Sequence, residues 1–319
     1  MKRTNLVGNP VLVKELRGRM RGNRAMYILT GYLSIIGVVT LLVYLAMVST
    51  ESLGAPDPGL GSRVGKSIFI TVMFVSLLQV CIISPALTAG SIAGERERQS
   101  YDLLVTTLLS PWQIALGKLG SALAFALLLN LAVLPLAGLS FLFGGVTFVE
   151  LLIGMVGLLV SAILCATVGL FWSSLMKTTQ GALVVAQGLV LLWLAGIPFL
   201  YIIAAALFGG DPSDNLIGAL IFGGFLCLHP FIALGITAVQ LAEGKSPLWF
   251  MLSTRFNNLP LELPLPSPWL IYVAFAIIVT LVLVAWSVRL LTPTGYTRRE
   301  QRQQRQPPPA TPSEVGSGG

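Results

Sequence analysis

The sequence predicts an all-α, polytopic membrane protein with six transmembrane helices, and three observations predict it. Hydrophobic residues make up 55% of the 319 and charged residues only 10%, where a soluble domain carries about 25% charged residues. Several apolar runs exceed the roughly 20 residues that a helix needs to cross a bilayer. Lys and Arg are crowded into alternate gaps between those runs, the distribution that fixes the orientation of membrane proteins. Residues 1–292 form a single membrane domain, and 293–319 form a basic, Pro- and Gly-rich tail.

The N-terminal arm carries Lys2, Arg3, Lys14, Arg17, Arg19, Arg21 and Arg24 against one acid, Glu15. Leu12, Leu16 and Met20 recur at every fourth residue, while Lys14, Arg17, Arg21 and Arg24 gather on the opposite side of the same helix. This is the pattern of an amphipathic helix over 10–24 lying on an anionic leaflet, starting after Asn9-Pro10. A basic flank beside a span is topogenic, so a nucleic-acid reading of the arginines is set aside. The first span, 26–48, is too long for a signal-peptide core and lacks a small-residue cleavage pattern.

The remaining spans are 67–93, 114–143, 150–174, 182–208 and 269–291. Between the second and third lies the most charged island of the chain, Gly94-Glu95-Arg96-Glu97-Arg98-Gln99-Ser100-Tyr101-Asp102. Tyr101, Leu104, Val105, Leu108 and Leu109 follow at helical spacing, with Asp102, Thr106 and Thr107 opposite. Leu103 breaks the pattern and lies among the polar residues, facing water unless something docks there. Ser110-Pro111-Trp112-Gln113 reads as a capping box that starts a new helix at Pro111.

The segment 216–242 is apolar enough to cross but is interrupted by Gly223-Gly224 and His229-Pro230, and each half is too short to span alone. With this segment as a re-entrant or interfacial hairpin, four of the 20 basic residues fall outside (Arg63, Lys66, Lys245 and Arg255) and sixteen inside. With the segment crossing, the division is thirteen to seven. The first arrangement obeys the positive-inside rule better and places both termini in the cytoplasm of a multi-pass plasma-membrane protein. Beyond Thr292-Pro293 the tail has no apolar face to bury and is expected to be disordered, its arginines resting against lipid headgroups.

Gly59-Leu60-Gly61-Ser62-Arg63-Val64-Gly65-Lys66-Ser67 imitates a phosphate loop. The motif needs a glycine where Leu60 stands, no strand precedes it, and it runs into a span, so no nucleotide site is expected. The three cysteines, Cys81, Cys165 and Cys227, lie in apolar runs without metal-ligand spacing and read as buried thiols. His229, the only histidine, has no second ligand near it and reads as part of the hairpin break. No Asp, Glu, Lys or Arg lies deep inside a predicted span, where proton-coupled transporters and intramembrane enzymes place ionisable groups. The polar residues within spans are Gln79, Asn130, Gln187 and scattered Ser and Thr, which bond across helices or line a substrate path. Gly90 and Gly94 mark a close helix contact.

The basic arm beginning Asn9-Pro10-Val11-Leu12-Val13-Lys14-Glu15, a span, an outer loop, a second span and then Gly94-Glu95-Arg96-Glu97-Arg98 leading to Leu103-Leu104-Val105-Thr106-Thr107 and Leu109-Ser110 together resemble the permease subunits of type 2 ABC transporters. The resemblance covers nearly the whole chain and is most specific from Pro85 to Leu123. It implies a permease that works as a homo- or heterodimer with two soluble ABC ATPase subunits and moves substrate outward by alternating access. ATP and Mg would be held by the ATPase, and no cofactor by this chain. It implies that 10–24 is an elbow helix, with Leu12, Lys14, Leu16, Arg17, Met20, Arg21 and Arg24 at the membrane surface. It further implies that Asp102 to Leu109 is a coupling helix, with Glu95, Arg96, Glu97, Arg98, Asp102, Leu103, Thr106 and Thr107 toward the ATPase. Short re-entrant helices before the last span belong to the same pattern. A membrane enzyme, a passive channel or an assembly factor are the competing classes. An enzyme predicts acidic or histidine clusters at a membrane face, and a passive protein predicts no ATPase partner.

Overall fold

The structure, a computed structural model, describes residues 12, 13, 15, 18, 23–51, 59–99, 110–208, 216–256 and 259–291. Among the described residues six helices are long and apolar enough to cross a membrane. They are α1 (Asn23–Glu51), α2 (Leu60–Glu97), α3 (Pro111–Leu142), α4 (Phe148–Leu175), α5 (Thr179–Phe208) and α8 (Pro268–Leu291). Each covers one of the expected spans to within a residue and extends it by up to about two turns. Between α5 and α8 come α6 (Leu216–Cys227), α7 (Pro230–Ala242) and a hairpin of β1 (Trp249–Phe256) and β2 (Leu259–Pro266).

Local chemistry sets the helix starts. Ser110 caps α3, its hydroxyl accepting from the Gln113 N–H while the Gln113 side chain accepts from the Ser110 N–H, as the capping box predicts. Thr147 and Glu150 repeat the device at α4. The α3–α4 turn runs through Gly144 and Gly145, both with φ near +80°; a Cβ at Gly145 would run into the backbone of Ser62.

The 38-residue α2 is the axis of the bundle, lying against α1, α3, α4 and α5. It meets α4 closely at Gly169, where a side chain would collide with Pro85 and Thr88. There the Thr88 hydroxyl donates to the Ala166 carbonyl at 2.7 Å. A turn further on, the Ser173 hydroxyl accepts from the Ile92 and Ala93 amides. Ser161 and the buried Tyr272 hydroxyl join α4 to α8 at 2.7 Å. Such small hydroxyl residues let helices approach and bond where no water competes. The outward faces of α1 and α5 are apolar, with Leu41, Leu42, Val184, Leu192 and Leu207 exposed, as lipid-facing surfaces require.

One end of the bundle, termed the near end, holds the C-terminus of α2 and the N-terminus of α3. Ile92, Ile114, Leu119, Leu170, Val288 and Leu291 cluster toward it, so α8 finishes at the end where α1 and α5 begin. At the far end the segment 216–242 folds as two helices bent by 108°. The break falls at Leu228-His229 alone; Gly223 and Gly224, expected to interrupt the segment, lie inside α6. His229 caps α7, its Nδ1 accepting from the Ile232 amide, and its Nε2 meets the Leu194 carbonyl at 2.9 Å. A neutral ring with the proton on Nε2 satisfies both bonds. Gln240 near the end of α7 binds the Ser246 and Trp249 carbonyls and accepts from Ser267. The segment therefore returns to the far end, where α8 starts. The β-hairpin that follows was not expected in an all-α chain; its register pairs Trp249 with Pro266 and Phe256 with Leu259.

Candidate functional site

The chemistry of the chain is concentrated at the near end. Lys118 lies in the second turn of α3 and is 1% exposed. Its ammonium donates to Glu95 Oε1 at 2.8 Å, Glu15 Oε1 at 3.2 Å and the Ser91 carbonyl at 2.6 Å. An ammonium has three donors, and all three are used. One cation thus joins the arm, the last turn of α2 and the start of α3, and it leaves two carboxylates sharing one positive charge. Lys118 lies about 10 Å along α3, near the start of the expected third span, and what the structure adds is that this basic residue is buried and paired. Glu150, 4% exposed at the start of the fourth, is the far-end counterpart, paired with Lys66 at 3.0 Å.

The other charges of the island also turn back onto the bundle. An Arg96 amine donates to the Met176 carbonyl at 3.2 Å, and Glu97 Oε2 accepts from the Thr179 hydroxyl at 2.6 Å. Thr179 fits between Gly90 and Gly94, the close contact that the glycine pair suggested. Arg98 follows α2, and Gln99 at φ 55° turns the chain away from the helix axis. Asp102, Leu103, Thr106 and Thr107 lie outside the described residues, as do Lys14, Leu16, Arg17, Met20 and Arg21 of the arm. Arg24 is described only as part of the α1 backbone. Leu12 rests against Gly120 of α3.

No protein-family model and no curated protein matches this chain. Its function is therefore read from the bundle itself. Beside the Lys118 cluster opens a cavity of about 580 Å³ between the arm, α1, α2, α3 and α5, with Glu15, Glu95, Glu97 and Arg98 on one side and Ile28, Leu87 and Phe125 on the other.

The three amides expected along a substrate path are not shown to converge. Gln79 in α2 is 8% exposed, and neither its amide nitrogen nor its oxygen has a partner among the described residues. Asn130 in α3 donates to the Met155 carbonyl at 3.4 Å and leaves its oxygen unpaired. The Gln187 amide nitrogen in α5 likewise has no partner among the described residues. Each unsatisfied buried polar group costs about 1–3 kcal/mol, a cost that water or a polar guest would remove. A smaller apolar cavity of about 40 Å³, lined by Phe69, Met73, Gly154 and Leu234, lies between α2, α4 and α7. Among the described residues no three His, Cys, Asp or Glu side chains are placed to hold a metal.

Proposed function

We propose that this chain is the membrane-spanning permease subunit of a type 2 ABC transporter. It exports its substrate from the cytoplasm across the plasma membrane by means of ATP hydrolysis in a separate soluble subunit. In this reading the near end faces the cytoplasm, both termini lie there, and two permease subunits, like or unlike, form the path. The segment from Asp102 to Leu109 is the docking helix for the ATPase, and Gln79, Asn130 and Gln187 line the route of the substrate.

The observation that carries the reading is the binding of α2, α3 and the arm through Lys118 beside the island that leads to 100–109. Glu95, Arg96 and Glu97 are engaged with the chain's own Lys118, Met176 and Thr179. A force applied to 100–109 would therefore reach α2 and α3 together, with the arm attached. A chain whose buried ionisable groups are already paired at the two ends of the bundle needs an outside source of energy, and an ATPase gripping this segment provides it.

Leu103 tests the reading. If the docking helix is held by an ATPase, Leu103→Asp buries an unpaired carboxylate in that contact at a cost of several kcal/mol. The variant should insert and fold normally but lose most of its ATPase partner on co-purification, together with substrate-stimulated ATP turnover. Thr106→Ser on the same face should keep both. Equal partner recovery by wild type and the two variants would end the docking proposal.

A further inference from the structure

We infer that His229 is an acid-sensitive clasp on the bent pair α6–α7: proton uptake at its Nδ1 breaks the cap of α7 and frees the first turns of that helix, while the ring stays bonded to α5. The inference needs neither an ATPase nor an assignment of the two ends of the bundle to sides of the membrane.

Two neighbours fix what the ring must do. Pro198 lies inside α5 and has no N–H, so the Leu194 carbonyl four residues before it lacks its helical donor. His229 Nε2 takes that donor's place at 2.9 Å, and because a carbonyl only accepts, Nε2 must carry a proton. On the other side of the ring the Ile232 amide donates to Nδ1 at 3.3 Å, and because an amide N–H only donates, Nδ1 must not carry one. A cap alone is served better by Asn, Asp or Ser. The imidazole adds the bond to Leu194 and, with it, a group of the kind that titrates near neutral pH.

Proton uptake affects the two bonds unequally. The imidazolium still donates from Nε2 to Leu194, but its Nδ1 becomes a second donor facing the Ile232 donor, and its charge lies at the N-terminus of α7, the positive end of the helix dipole. Among the described residues no carboxylate answers that charge. On α7 the first acid is the C-cap Glu243, exposed and paired with Lys245. Glu150 of α4 lines the apolar cavity toward the later turns of α7 and is paired with Lys66 of α2. The remaining titratable groups are Tyr201 of α5, Cys227 of α6, Tyr272 of α8 behind the Trp193 ring, and the buried Cys81 of α2 and Cys165 of α4; phenols and thiols carry no charge in the acid range. Gln240 ties the C-terminal end of α7 to the Trp249 carbonyl and to Ser267, so the release is confined to the first turns.

The test is hydrogen–deuterium exchange of the full chain in nanodiscs at about pH 7.5 and about pH 5, either side of the ordinary imidazole value of about 6.5. Each rate is corrected for the intrinsic pH dependence of amide exchange. A released ring is hydrated and takes a proton with that ordinary value, so the released population grows as pH falls below it. Corrected exchange over 231–236 should rise on the order of tenfold at the lower pH, while 68–80 in α2 stays unchanged. His229→Asn keeps a capping oxygen but takes up no proton, and its corrected exchange over 231–236 should be the same at both. Equal corrected exchange of 231–236 in the wild type at the two pH values overturns the proposal, whatever the variant does. So does a parallel rise in 68–80, which would mark acid loosening of the whole bundle, or a His229→Asn protein as acid-sensitive as the wild type.

Discussion

A single buried ammonium holds the near end of the bundle together. Lys118 was legible in the sequence as a basic residue one or two turns into an apolar helix. Its role was not, because its partners Glu95 and Glu15 lie 23 and 103 positions away and only the folded bundle brings them to one point. Removing one member of a buried ion pair costs about 3–5 kcal/mol; here Glu15 and Glu95 keep 25% and 19% of their side-chain surface, so the lower end applies. Lys118→Met, which keeps the volume and deletes the charge, should lower the unfolding temperature by at least a few degrees. Adding Glu95→Gln to it should recover part of the loss by relieving two facing carboxylates. Thermal melts of the two variants in detergent check this, and a Lys118→Met melt identical to wild type would show that the cluster is not structural.

At the scale of elements, the helices were legible and the hairpin was not. Apolar length finds α1 to α5 and α8, and Ser110-Pro111-Trp112-Gln113 fixes the start of α3 to the residue. The stretch from Leu259 to Pro266 hides its strand, because three prolines in eight residues argue against one. The ladder explains how they are tolerated. The Ser267 amide donates to the Leu248 carbonyl, which sets the phase of the pairs and makes Pro260, Pro264 and Pro266 members of non-hydrogen-bonded pairs with Arg255, Met251 and Trp249. Their missing N–H groups would all have pointed away from β1. The outer edge of β2 thus keeps only the Glu262 N–H as a donor along 260–266, which weakens it as a template for pairing with another chain. The triple variant Pro260→Thr, Pro264→Thr, Pro266→Thr restores three outward donors and should move purified protein toward higher oligomers on size exclusion. An unchanged elution profile would remove the protective role.

For the whole molecule, the distribution of charge predicts six crossings, and the bundle adds that 216–242 is two helices bent by 108°. Both ends of 216–242 lie at the far end, opposite the ends where α1 begins and α8 stops. In the proposed reading, the sixteen-to-four division of basic residues places the near end in the cytoplasm. A single cysteine at Ser313 in a cysteine-free background should then resist a membrane-impermeant thiol reagent in intact cells and react after permeabilisation. Labelling of intact cells would invert or add a span. What the sequence withheld at this scale is which polar residues meet. Gln79, Asn130 and Gln187 are equally apparent as amides in apolar runs, and their mutual placement depends on the rotation of three helices.

The length of α2 has a mechanical consequence. At about 57 Å it is far longer than the roughly 30 Å hydrocarbon core, and it is fastened at both extremities, by Lys66–Glu150 and by Glu95–Lys118. A strut pinned in this way cannot slide without breaking a buried ion pair. It can flex, because Pro85 deprives the Cys81 carbonyl of its usual helical donor, and at that level Gly169 and the Thr88 bond to Ala166 grip it against α4. A displacement at one extremity would be returned at the other as a change of tilt about that grip, so α2 is built as a pivoted lever rather than a piston.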